Sequence, residues 1–172
     1  MKILIAYSSK SGTVAECAVK LASMFKNYIV ELANLAETNP SPDEYDIVVI
    51  GASIRIGKIS KIASNYIIQN EETLLKKKVA FFLCTGYPEQ FDNYIENNIP
   101  QSLRSASFAL GNFGGSIDKT RFHGIEKLIV RIMRNSINNA EESDDAIENV
   151  AIPAIIPENI NRFVNEIKGK LT

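Results

Sequence analysis

Ser9, Ser11 and Thr13 set hydroxyls around Gly12, after one apolar run and before an amphipathic one. A helix opening there presents amide hydrogens without internal partners, and those amides and the helix dipole favour an anion. The hydroxyls would add neutral hydrogen bonds, and Gly12 would let the backbone come close. Ser11 or Thr13 could equally be an ordinary helix cap, and the loop alone leaves both readings open. The nucleotide signatures GxxxxGK[ST] and, after the first apolar run, GxGxxG are missing. Phosphoryl transfer is disfavoured too. No acidic cluster follows that run, no Asp closes the third strand, and the loop holds no cysteine nucleophile.

Other reactive side chains are few. Cys17 and Cys84 share no metal-ligand spacing and are too few for a disulfide framework, so no metal site is expected. Cys84 closes an apolar run and reads as an inert core thiol. His123 is the single histidine, but it stands in a different segment from the candidate loops, which favours a surface or helix-start role over acid–base chemistry. No catalytic residue can be assigned. The acidic run from Glu141 to Glu148 reads as a solvated loop.

The chain has 172 residues, 45% apolar and 23% charged, with a formal net charge of −1. That composition suits one globular domain spanning residues 1–172. It argues against general nucleic-acid binding, which needs a clear basic excess. No stretch approaches the roughly 18 apolar residues of a membrane span, and the N-terminus lacks a signal-peptide core. A reduced, cytoplasmic setting is expected.

The elements that would hold these residues alternate. Ile3-Leu4-Ile5-Ala6-Tyr7 is an unalternating apolar run, as in a strand buried on both faces. Val14, Cys17, Ala18, Leu21 and Phe25 then form a helical stripe. Strands are expected at Tyr28 to Leu32, Ile47 to Ile50, "KKKVAFFLC" and "SFALGNFGGSI", the last weakened beyond Gly111 by its glycines. Helices are expected over Ile59 to Asn70, with Ile62, Tyr66, Ile67 and a candidate fourth, Ile59, on its apolar face, over 89 to 105, broken or kinked at Pro100, over Lys119 to Asn138 and over Pro157 to Leu171. Such alternation predicts an α/β domain, a five-stranded parallel sheet with helices on both faces in the order 2-1-3-4-5. Ligands bind such sheets at the carboxyl ends of the strands. The candidate loops are therefore Ser8 to Val14, Ala52 to Lys58 and Thr85 to Asp92.

Two segments carry a family resemblance. Ser9-Lys10-Ser11-Gly12-Thr13 resembles the phosphate loop of flavodoxins, departing from it at Val14, where that family usually has threonine. "YDIVVIGASIRIGK", residues 45 to 58, is similar to a segment of the flavodoxin-type, menaquinone-dependent protoporphyrinogen oxidases and related flavodoxin-domain proteins, and "HGIEKLIVRIM" is a weaker echo of the same group. The resemblance implies a flavodoxin-like three-layer α/β/α sandwich that binds FMN. Ser9, Lys10, Ser11, Gly12, Thr13 and Val14 would hold the phosphate, mostly through backbone amides. Ser53, Ile54, Arg55, Ile56 and Gly57 would border the redox edge of the ring, with Ile54 or Ile56 against its face. Gly57 could permit a peptide rearrangement towards the flavin, or be only a turn glycine. Thr85, Gly86 and Tyr87 would meet the pyrimidine end, with Tyr87 as a stacking ring or as a surface aromatic anchoring the loop.

Two functions follow from the resemblance: an FMN oxidoreductase of the protoporphyrinogen-oxidising type passing electrons to a quinone-like acceptor, or an electron carrier serving a redox partner protein. Arg55, Lys58 and Lys61 surround the expected flavin edge where a carrier normally places carboxylates, which favours the first. "GYPEQFDNYIENNIP" is shorter than the inserted basic loop of those oxidases and carries Glu89, Asp92 and Glu96, which favours the second. Lys119, Arg121, Lys127, Arg131 and Arg134, opposed by Asp118 and Glu126, form a basic stripe that suits a peripheral contact with anionic lipid, a substrate carrying carboxylates such as a porphyrinogen, or a solvated helix face. Oligomeric state cannot be read from these residues.

Overall fold

A computed structural model describes residues 1–9, 12–115 and 155–171. Strands β1 (Lys2–Ser8), β2 (Ile29–Asn34), β3 (Ile47–Ser53), β4 (Lys78–Cys84) and β5 (Ala109–Asn112) form one sheet in the order β2-β1-β3-β4-β5. Every neighbouring pair is parallel. Helices α1 (Thr13–Ser23), α2 (Lys61–Gln69), α3 (Glu71–Leu74), α4 (Phe91–Asn98), α5 (Gln101–Ala106) and α6 (Pro157–Gly169) accompany it.

The unalternating strands follow from burial on both faces. Ile3, Ile5 and Tyr7 of β1 join a core layer with α1 and α6, whereas Leu4 and Ala6 join a second layer with α2, α4 and α5. The whole stripe Val14, Cys17, Ala18, Leu21, Phe25 is buried. In the first layer Phe82 stacks on Phe113 at 4.5 Å, and Phe163 of α6 meets Phe113 edge-on at 5.1 Å. The Phe82 ring lies over Gly51, its partner in the β3–β4 ladder; a Cβ on Gly51 would stand 2.1 Å from the ring.

The predicted boundaries shift for identifiable reasons. The second strand runs on to Asn34. The helix expected from Ile59 starts at Lys61, because the Ser60 hydroxyl accepts the Ala63 amide and caps it. Tyr66 and Ile67 are buried as predicted, and Ile59 just ahead of the helix is buried too, but Ile62 is 41% exposed and Ala63 takes its place on the buried face. Pro100 separates α4 from α5, because it continues no helix from α4 and sits at the N-cap of α5. Strand β5 stops at Asn112, whose side-chain oxygen accepts the Gly114 amide and turns the chain. The helix expected over Lys119 to Asn138, His123 and the acidic run lie outside the described residues.

Candidate functional site

Because β1, β3 and β4 are adjacent and parallel, their carboxyl ends bring the three candidate loops to one edge of the sheet. The first loop enters α1 through Gly12, which takes φ 84° and ψ −29°. This left-handed geometry is open to glycine and strained for β-branched residues. The N-cap position therefore falls on a residue without a side chain, so neither Ser11 nor Thr13 occupies it. The Ser9 hydroxyl accepts the Gly12 amide at 3.1 Å and shapes the turn, leaving its own proton to donate elsewhere. Val14 is fully buried, so only its backbone could serve an anion. Lys10 and Ser11 lie outside the described residues.

The second loop is a tight turn. Arg55 and Lys58 exchange backbone hydrogen bonds at 2.9 and 3.1 Å around Ile56 (φ 51°) and Gly57 (φ 72°). Positive φ at both central residues is the type I′ pattern. A Cβ on Gly57 would meet nothing within 4 Å, so its constraint is conformational rather than steric. Ile56 is unusual. A β-branched residue in the left-handed region is strained, and this one is fully exposed at the tip of the turn. Ile54 instead packs partly buried against the second core layer. Of the two isoleucines expected against a ring, Ile56 is the one with its side chain free at the surface.

Asn98, which sequence reasoning missed, fixes this turn from α4. Its side-chain amide donates to the carbonyl oxygens of Gly57 (2.9 Å) and Tyr94 (2.8 Å), and its oxygen accepts the Ile59 amide at 3.0 Å. The only sequence signal was an asparagine closing a helix ahead of Ile99-Pro100. Ser8, which opens the first candidate loop, has an unforeseen partner: its hydroxyl is 2.7 Å from that of Ser60 and ties the end of β1 to the start of α2.

In the third loop Thr85 is buried and its hydroxyl accepts the Tyr87 amide at 3.2 Å, whereas Tyr87 is 65% exposed. A tyrosine ring in water at such an edge is free to stack on a planar ligand. The Ile54 amide donates to the Cys84 carbonyl at 3.1 Å, joining the second loop to the root of the third. Arg55, Lys58 and Lys61 are exposed, as are Glu89, Asp92 and Glu96, and the Lys58 ammonium reaches the Asn97 carbonyl of α4 at 3.4 Å. Among the described residues no group of three or more His, Cys, Asp or Glu side chains is placed to hold a metal ion. No described helix is long and apolar enough to cross a membrane.

Cys84 is not isolated. Its thiol lies 3.6 Å from that of Cys17, and both are buried. Burial first, and the contact with Cys84 second, push the Cys17 thiol well above its ordinary range.

A doubly wound parallel sheet whose loops gather at the carboxyl ends beside the switch strand β1 is the architecture of a ligand-binding α/β protein. The flavodoxin domain family model matches residues 4–144, and the chain belongs to that family. Among solved structures, the two-electron reduced flavodoxin of Megasphaera elsdenii is 16% identical, with 77% of this chain and 98% of that one covered at a TM-score of 0.52. A variant flavodoxin of Fusobacterium nucleatum bound to flavin mononucleotide is 11% identical, with 98% and 96% covered at 0.52. A flavoprotein of Lactobacillus acidophilus in complex with FMN is 17% identical, with 64% and 92% covered at 0.51. No curated protein matches the sequence.

Proposed function

We propose that this chain binds FMN through the loops after β1, β3 and β4 and exchanges electrons through the exposed edge at Ile56 and Tyr87. The observation that carries this is the meeting of three loops of different chemistry on one sheet edge. One has a glycine N-cap suited to a phosphate; the others are a strained turn with an exposed isoleucine and a loop with an exposed tyrosine. The family supports it, and its flavodoxin and flavoprotein relatives include FMN complexes. FMN supplies one- and two-electron chemistry when bound. The chain's own part is to hold the phosphate on backbone amides at the start of α1, to flank the ring with Ile56 and Tyr87, and to set the charge around it. Ser9, Lys10, Ser11 and Thr13 complete the phosphate loop; Ser53, Ile54, Arg55 and Gly57 border the ring, and Thr85 and Gly86 its far end. The partner is then a redox protein docking at this edge, and the chain an electron carrier.

The enzymatic reading, with a quinone-like acceptor and a protoporphyrinogen-oxidising type of reaction, is favoured by Arg55, Lys58 and Lys61. A cation about 7 Å from the ring at an effective dielectric near 20 contributes on the order of 2 kcal/mol, less after screening of exposed side chains. Glu89, Asp92 and Glu96 weigh against a substrate bearing carboxylates. A basic stripe over 119–134 would add a peripheral contact with anionic lipid.

Potentiometry separates the two. The second one-electron potential should lie above that of a flavodoxin with an acidic rim, by at most roughly 50–100 mV per uncompensated cation. Arg55→Glu should lower it more than Arg55→Gln, and added salt should shrink both effects. A low wild-type potential that Arg55→Glu does not move would leave the carrier reading alone.

A further inference from the structure

The buried pair Cys17–Cys84 has no part in holding a phosphate or a ring, yet it sits where all three loops are rooted. Cys17 lies on α1, the helix entered through the first loop. The Cys84 carbonyl accepts the amide of Ile54 from the second loop, and Thr85 of the third follows Cys84 directly. The sulfurs are 3.6 Å apart although their residues are 67 positions apart in sequence. A disulfide needs them at about 2.05 Å, a closure of about 1.5 Å. Opposite Cys84 the chain passes at Gly115, where even an added Cβ would stand 3.6 Å from the Cys84 Cβ, so no side chain of that residue presses on the thiol.

We propose that Cys17 and Cys84 are a reversible dithiol–disulfide site whose closure lowers the affinity of the three-loop edge for FMN. In the step two S–H bonds break and one S–S bond forms. Two electrons and two protons pass to a hydroperoxide, which is reduced to an alcohol (water, for hydrogen peroxide) and water. The contraction draws α1 towards the end of β4 and shifts the first loop against the other two, so a ligand gripped by all three is held less well. Burial raises the pKa of the Cys17 thiol and keeps its thiolate scarce, so attack from Cys17 is slow near neutral pH and faster in mild alkali. By linkage, FMN must oppose disulfide closure by the factor with which the disulfide opposes FMN.

The coupling rests on the FMN reading; the disulfide does not. The purified protein is treated with hydrogen peroxide at mildly alkaline pH and followed by intact mass and by mapping peptides without reduction. FMN dissociation constants are then measured before oxidation, after it, and after reduction with dithiothreitol. The expected result is a loss of about 2 Da, a peptide pair joining Cys17 to Cys84, and FMN affinity lowered roughly tenfold and restored by dithiothreitol. That factor corresponds to a shift of about 30 mV in the dithiol midpoint on saturation with FMN. Cys17→Ser and Cys84→Ser should show neither the mass loss nor the oxidant-dependent change. Thiols that stay free, or that are oxidised separately to sulfinic acids with two added oxygens each, overturn the disulfide. A disulfide that leaves FMN affinity within twofold overturns the coupling. Failure of the reduced protein to bind FMN overturns the coupling and marks the FMN reading itself as wrong, whatever the disulfide does.

Discussion

Replacing Gly12 by valine should weaken FMN binding by at least about a hundredfold. Gly12 holds φ 84° at the entry to α1, where a β-branched residue is among the least tolerated. The variant must either bear the strain or move the backbone out of the left-handed region. Moving it reorients the backbone at the start of α1, on which the proposed phosphate site depends. It also breaks the Gly12 amide bond to Ser9, which shapes the loop. A loss of about 3 kcal/mol is the corresponding scale, one or two charge-assisted hydrogen bonds. Gly12→Ala should fall between the two, because alanine enters this region at a smaller cost. Fluorescence titration of FMN into each variant measures this, with circular dichroism to show that α1 and the sheet persist. An unchanged dissociation constant for Gly12→Val would reduce the loop to a helix start.

The second large effect concerns the floor of the site rather than its loops. Gly51→Val should destabilise the protein by about 3 kcal/mol or more, because overpacking a close-packed layer forces rotamer and backbone shifts. Its Cβ would stand 2.1 Å from the Phe82 ring, which cannot retreat while stacked on Phe113. For a chain of this length the melting midpoint should fall on the order of 10 °C. In a Phe82→Leu background the same change should cost markedly less, since the clashing ring atoms are gone; this non-additivity identifies contact as the cause. Equal penalties in both backgrounds would place the strain elsewhere.

The fold was legible because its signals are redundant. Apolar strands without alternation, such as Ile47-Val48-Val49-Ile50, separated by helical stripes leave a doubly wound sheet as almost the only solution. The loops after β1, β3 and β4 followed from that topology. What could not be read was whatever depended on contact at a distance. Asn98 lies about forty positions from the turn it braces, and nothing local distinguishes it from the neighbouring Asn97. Cys17 and Cys84 looked unrelated because their spacing fits no motif, and only the packing of α1 against the end of β4 brings the sulfurs together. The exchange of Ile62 for Ala63 on the buried face of α2 was hidden for a related reason. Hydrophobicity favoured the isoleucine, while close packing against the sheet selected the smaller side chain.

The central claim is that the first loop is a phosphate site serving a flavin. The most direct test is calorimetric titration of the cofactor-free protein with FMN and, separately, with riboflavin, which has the same ring and no phosphate. One FMN per chain is expected, with riboflavin bound roughly a thousandfold more weakly, the scale of two charge-assisted hydrogen bonds to a phosphate. Gly12→Val should narrow that difference, because it removes only what the phosphate uses. Equal affinities for FMN and riboflavin, or binding of neither, would contradict the account.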